Sequence, residues 1–212
     1  MDAARFRPPL TLTGRYVELV PLERRHAPEL LRAAHDPEVQ RYLIQPLGTS
    51  LAETERVVDQ LLRQQAEGTD LPFATRLRSS GEVVGMTRFL RIDPKDDHVD
   101  IGGTFLDIRY WRTPVNTDAK LSMLRHAFDV ARVHRVSLQT DLRNERSQRA
   151  IVRLGAVREG LLREDRVLPD GASYRSSVIF GILASEWPAV RARLEDALQS
   201  PWEPAAARPA RR

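Results

Sequence analysis

The ten residues from Trp111 to Lys120, WRTPVNTDAK, set a small polar turn directly against the first turn of a strong helical pattern. A helix start leaves several backbone N–H groups without internal partners and gathers partial positive charge from the aligned peptide dipoles, so it suits an anion such as phosphate. Asn116 or Thr117 is the expected N-cap, and Asp118 suits the first turn electrostatically. Lys120 does not, because a cation near a helix N-terminus is unfavourable unless an anion sits nearby. The turn has no Walker A glycines and no G-x-G-x-x-G, so on spacing alone an ordinary capped helix is the favoured reading.

The neighbouring segments add to it. HVDIGGTFL (His98 to Leu106) alternates and carries a glycine pair, which reads as a strand with a bulge or close backbone approach at its middle. Leu121, Leu124, Phe128 and Ala131 recur at helical spacing and form one buried stripe. RVSLQTD (Arg135 to Asp141) reads as another strand. The helix that follows, NERSQRAIVRLG, has Asn144 as a good N-cap and Gly155 as a good stop. The order is strand, anion-binding turn, helix, strand, short helix.

In DIGGTFL (Asp100 to Leu106), YWRTPVNTDAKLSMLRHAFD (Tyr110 to Asp129) and TDLRNERSQRAIVRLGAVREG (Thr140 to Gly160) the chain resembles the GNAT superfamily of N-acetyltransferases, in the branch that includes the ribosomal-protein N-terminal acetyltransferases. The resemblance covers about residues 10–198. It implies an α+β fold with a central, mixed but mostly antiparallel sheet of about seven strands, splayed into a V, with helices on both faces. It also implies acetyl-CoA as cosubstrate, with no metal. In relatives the first segment pairs with the pantetheine arm, the second cradles the pyrophosphate, and the third places an Asn-x-x-Ser helix beside the thioester. Carried onto this sequence, the cofactor-binding residues are Phe105, Leu106, Trp111, Arg112, Thr113, Val115, Asn116, Thr117, Asp118, Ala119, Lys120, Asn144 and Ser147. The loop departs from the superfamily's Gln/Arg-x-x-Gly-x-Gly/Ala pattern, since Pro114 and Asn116 stand where glycine or alanine is usual. Pro114 removes one amide donor, leaving the cradle to Val115, Asn116, Thr117 and the following amides.

The implied chemistry is direct transfer of acetyl from acetyl-CoA to a primary amine in a ternary complex. It needs a neutral amine, donors for the oxyanion and a proton source for the thiolate, but no side-chain nucleophile. Ser147 is the candidate acid, because it shares an inward stripe with Ala150, Ile151 and Leu154; a small packing residue, or a serine that only bonds the cofactor, fits the same spacing. Asp100 is the candidate base, with a solvent-facing aspartate as the competing reading, and His98 is the reserve. His126 and His134 read as helix-surface and helix-end residues. The acceptor pocket is expected between the loop His35 to Ser50 and the final hairpin, with Tyr42, Gln45 and Tyr174 as substrate-binding candidates. The acceptor stays open between a protein N-terminus, a polyamine, an amino sugar and another small amine. A catalytically impaired acyl-CoA-binding regulatory module and a ribosome- or nucleic-acid-associated protein are the alternatives.

Composition bounds the remaining classes. A chain of 212 residues can bury about 70% of its unfolded surface. Zero cysteines exclude disulfides, thiol catalysis and thiolate metal sites. The net charge is +4, yet Arg5, Arg7, Arg208, Arg211 and Arg212 lie at the ends, and aromatics make up only 6%; that is no basic, aromatic-laced stripe for nucleic acid. With no signal-like or membrane-length apolar run, a cytoplasmic protein is expected, with a homodimer kept as a further partner. The expected organisation is a flexible arm over 1–10, one domain over 11–199 and a flexible Ala/Pro/Arg tail over 200–212. Strands are expected at Thr13 to Leu22 and in hairpins around Ser79 to Gly81 and Pro169 to Gly171. Helices are expected at Ala27 to His35, around Val57, Leu61 and Leu62, and after a Ser185 cap.

Overall fold

The computed structural model describes residues 1–202. Eight strands form one sheet: β1 (Leu12–Thr13), β2 (Val17–Pro21), β3 (Asp70–Leu77), β4 (Val83–Asp93), β5 (His98–Leu106), β6 (Arg135–Asp141), β7 (Val157–Val167) and β8 (Tyr174–Leu183). Their order is β1-β2-β3-β4-β5-β6-β8-β7, and only β5 and β6 run parallel. The eighth strand arises where one was expected over Thr13 to Leu22. That segment breaks at Gly14–Tyr16, where the Gly14 amide donates to the Val17 carbonyl at 2.8 Å.

Three helices, α1 (Ala27–Ala33), α2 (Pro37–Gln40) and α3 (Leu51–Ala66), belong to one face of the sheet. The other face carries α4 (Val115–Arg125), α5 (Glu145–Leu154) and α6 (Trp187–Ala197). Strand alternation sorts the side chains between them. Val20, Ala74, Met86 and Phe105 join α1 and α3 in the smaller core, while Leu19, Phe73, Phe89, Ile101 and Leu138 join α4 to α6 in the larger one. Ser50 and Glu53 form a capping box on α3, which buries Thr54, Val58 and Leu61 and leaves Val57 and Leu62 half-buried. The stripe Leu121, Leu124, Phe128 and Ala131 is wholly buried, and the chain widens into a π-helical turn at His126–Val130.

The Pro169 to Gly171 turn closes the β7–β8 hairpin, with Asp170 accepting from the amides of Ala172 and Ser173. α6 starts at Trp187 behind Glu186, one residue later than a Ser185 cap would give. Within residues 1–10, read above as a flexible arm, Phe6 is 4% exposed and meets Phe89 edge-on at 5.0 Å, while most of its neighbours are exposed. The same contact corrects His126 from surface to core, since its Nε2 lies 2.8 Å from the Arg5 carbonyl and its ring packs on Phe6. Trp202 packs edge-on against Tyr16, while the rest of the expected tail, with Arg208, Arg211 and Arg212, lies outside the described residues. Among the described residues no helix is long and apolar enough to cross a membrane.

Candidate active site

β5 and β6 pair only from His98 to Ile101 and from Arg135 to Leu138. Beyond those residues the strands diverge, so Gly102–Leu106 and Gln139–Asp141 turn unpaired edges toward each other while each keeps its ladder on the other side. The register slip opposite Thr87 and the left-handed φ of +56° at Gly103 make this divergence possible. A Cβ at Gly103 would stand 2.8 Å from Arg88 Nε. The opening is a cavity of about 220 Å³, walled by β5, β6, α5 and the Tyr110–Thr117 turn.

The turn is built differently from the expectation. α4 starts at Val115 with Pro114 as its N-cap residue, so Asn116 and Thr117 are first-turn residues and not caps. Pro114 is accommodated because an amide is dispensable at a helix entrance, and its carbonyl accepts from Asp118 N at 2.9 Å. The Val115 amide leans on Thr113 Oγ1 at 3.4 Å. The amides of Asn116 and Thr117 have no partner among the described residues, and both residues line the cavity. Arg112, at φ +61°, and Thr113 line it as well. Trp111 Nε1 donates to the Leu106 carbonyl at 2.9 Å, and the Arg146 guanidinium stacks 3.2 Å above the Trp111 ring. Burial lowers the pKa of Arg146.

Three residues of the expected cradle face elsewhere. Val115 and Ala119 are buried in the larger core. Asp118 is 2% exposed and accepts from the amides of Arg15, Tyr16 and Val17 at 2.9, 2.7 and 3.0 Å. It ties α4 to the β1–β2 turn and does not line the cavity. A Cβ on Gly14 would lie 2.3 Å from Asp118 Oδ2, so this approach requires glycine.

Lys120 stays at the cavity wall. It borders the cavity from below, 4% exposed, with Nζ 2.7 Å from both Thr87 Oγ1 and Thr104 Oγ1. The two hydroxyls are 2.8 Å apart, which closes a triangle. A neutral amine completes such a ring by donating to one hydroxyl and accepting from the other. An ammonium would hold one N–H against Met123 Sδ, 4.0 Å away. Burial without a carboxylate partner pushes its pKa down to about 7. The lysine near the helix start is thus buried against two hydroxyls, with no carboxylate in contact among the described residues.

Asn144 caps α5 by accepting from Ser147 N at 3.0 Å, and both residues line the cavity with Ala150, Ile151 and Leu154. Phe105 and Leu106 line it from β5. A second cavity of about 150 Å³ opens beside the first and shares with it Tyr42, Leu43, Ile101, Gly102, Thr104 and Phe105. Gln45 lines the second cavity, with its Nε2 buried and unpaired. Tyr174 lines neither cavity; at the start of β8 it is 58% exposed.

Asp100 lines the second cavity at 3% exposure, with one of its two carboxylate oxygens engaged in a hydrogen bond. Arg91 Nε donates to Oδ2 at 2.7 Å, and His98 Nε2 lies 3.0 Å from Oδ1. His98 also lies 2.9 Å from Ser137 Oγ and lines neither cavity. Asp100 thus pairs with Arg91 through Oδ2 and keeps a buried Oδ1 without a hydrogen bond among the described residues, so its carboxylate is only partly committed. Among the described residues no group of three or more His, Asp or Glu side chains could hold a metal ion.

The sequence reading passed over Arg146, Thr104, Arg88 and Arg175, all of which line these cavities. Arg146 sits between Asn144 and Ser147 and could have been found from the Asn-x-x-Ser spacing. The others come together only through strand pairing.

Residues 17–157 match the model of the acetyltransferase (GNAT) domain family. A candidate acetyltransferase solved from T. thermophilus is 41% identical, with a TM-score of 0.82, covering 90% of this chain and 97% of that one. Mycobacterium smegmatis RimJ, solved in complex with CoA-disulfide, has the same fold at 22% identity, with a TM-score of 0.76 and coverage of 90% and 95%. The N-acetyltransferase p20 of Bacillus licheniformis, itself uncharacterised, is 23% identical over 154 residues, 73% of this chain and 86% of that protein. With a strand pair splayed over a helix start that offers open amides, and with these relatives, the chain belongs to the GNAT acetyltransferase family and is an acetyltransferase.

Proposed function

We propose that the protein moves an acetyl group from acetyl-CoA directly to a primary amine while both substrates are bound. The observation that carries this reading is the pair of cavities meeting at the β5 bulge, one bordered by open helix-start amides and the other by polar side chains. The amides of Asn116 and Thr117 receive the pyrophosphate, helped by the helix dipole. The unpaired edges of β5 and β6 take up the pantetheine amides as a short added strand. Arg146, held flat on Trp111, supplies a fixed positive charge at the cavity wall.

In the transfer, the amine nitrogen forms a bond to the thioester carbonyl carbon as the carbon–sulfur bond breaks. One of the two protons lost by the ammonium goes to solvent, and the other ends on the departing sulfur. The Ser147 hydroxyl, on the cavity side of α5, hydrogen-bonds that sulfur. Acetyl-CoA should raise the melting temperature, and a thiol-release assay over a panel of amines should show turnover. Absence of any shift at saturating acetyl-CoA would count against the whole reading.

A further inference from the structure

The walls of the second cavity carry more arginines than carboxylates, with Asp141 and Asp165 drawing on Arg175 from outside the lining. Four arginines and one carboxylate line it: Arg88, Arg91, Arg166 and Arg175 against Asp100. Two of the four are spoken for. Arg88 pairs with Asp70 at 2.9 Å, with both side chains largely buried, and Arg91 pairs with Asp100. Arg166 only approaches Asp165, at 3.8 Å, and is 46% exposed.

Arg175 differs from all of these. It is 7% exposed, its Nε donates to Ser177 Oγ at 3.0 Å, and its two terminal nitrogens have no hydrogen-bond partner among the described residues. The side chain is largely buried, yet its open nitrogens are not sealed from solvent, so an anion entering the cavity can reach and pair them. Burial accordingly lowers its pKa, against the more distant pull of Asp141 and Asp165. On the same wall Gln45 offers a buried side-chain amide nitrogen that also has no partner. A planar carboxylate matches this donor set, since guanidinium binds it with two parallel hydrogen bonds. A polycation does not, because it would meet Arg166 and Arg175 with like charge.

We infer that the acceptor is an amine that carries a carboxylate, held by Arg175 with Gln45 so that its amine end reaches the β5 bulge shared by the two cavities. This deepens the acetyl-transfer reading and rests on it. The carboxylate belongs either to a free amino acid or to an Asp or Glu close behind a protein N-terminus.

The test compares four acceptors with acetyl-CoA in the thiol-release assay: free amino acids, the matching amino acid amides, short peptides with Asp or Glu at the second or third position, and spermidine. Carboxylate-bearing amines should exceed their amides by at least tenfold in kcat/KM, and Arg175→Met should bring that ratio close to one. Preference for the free amino acids or for the acidic peptides identifies the source. Equal use of acid and amide, preference for spermidine, or a ratio that survives Arg175→Met overturns the inference. Binding is measured separately, because it needs no turnover: with CoA present, N-acetylated amino acids should raise the melting temperature more than their amides do. Gln45→Leu should weaken that difference, and covers the case in which Arg175→Met fails to fold. No acid-selective shift overturns the inference, whereas no shift with acetyl-CoA itself overturns the acetyl-transfer reading beneath it.

Discussion

The Lys120 amine lies 2.7 Å from the Thr104 hydroxyl, buried at the wall of the larger cavity and with no carboxylate in ion-pair contact among the described residues. Burial lowers this lysine's pKa from 10.5 to about 7, so the neutral form dominates only above that pH. Between those two values the unfolded chain keeps the proton and the folded chain does not, so the native state gains stability as pH rises from about 7 toward 10.5. Below about pH 7 both states are protonated and the burial cost is fully present. Lys120→Met removes that cost. The variant should melt above the wild type at about pH 6.5, with the gap closing toward about pH 10. Parallel melting curves across that range would refute the neutral lysine.

Asp118 spends both oxygens on three amides of the β1–β2 turn. Asp118→Ala would leave buried donors unpaired, at a cost of about 3 kcal/mol or more, or a fall of roughly 10 °C for a domain of this size. Gly14→Ala should be damaging for the same reason, as its Cβ would strike the carboxylate. Both are read by thermal unfolding without ligand. If Asp118→Ala kept full stability and lost only acetyl-CoA binding, the carboxylate would belong to the cradle after all.

Arg146 over Trp111 is a cation–π stack at the wall of the larger cavity. Such a contact is worth about 1 kcal/mol, so Trp111→Leu should weaken acetyl-CoA binding by roughly fivefold. Arg146→Ala also removes a charge and should weaken it more, with stronger dependence on salt. Titration calorimetry at two ionic strengths separates the contributions.

Asn144 and Ser147 are joined by the α5 cap, and separate assays can part their duties. Asn144→Ala should cost about 1 kcal/mol of stability from the lost cap. Ser147→Ala keeps the backbone amide that the cap uses and should lower kcat, with little change in melting temperature. An unchanged kcat would remove Ser147 from the chemistry.

Asp100→Asn should lower the melting temperature, because it loosens Arg91 and His98. The pH profile of kcat/KM should keep its shape. Loss of the acidic limb of that profile would restore Asp100 as the general base.

The local elements of this fold were legible because their signals act within a few residues. The strands His98–Leu106 and Arg135–Asp141, the Asn144 cap, the Gly155 stop and both hairpin turns are set by alternation, side-chain capping and turn preference. Periodicity likewise marked the buried stripe of α4. The start of α4 was misplaced by two residues because Asn and Thr are better caps than Pro in isolation, whereas here Pro114 follows a left-handed Arg112 that turns the chain into the helix.

The sequence by itself therefore determined the order of elements and marked Trp111 to Lys120 as a turn leading into a helix, since both follow from local backbone physics. Only the tertiary structure decided where the polar side chains of that turn point. Asp118 and Lys120 lie two apart on one helix, yet one clamps a distant strand turn and the other is buried against two threonines from β4 and β5. The same holds for Arg175, whose open nitrogens meet the second cavity only because β8 is placed beside β6. Burial and charge pairing depend on neighbours far along the chain, and the sheet brings those neighbours together.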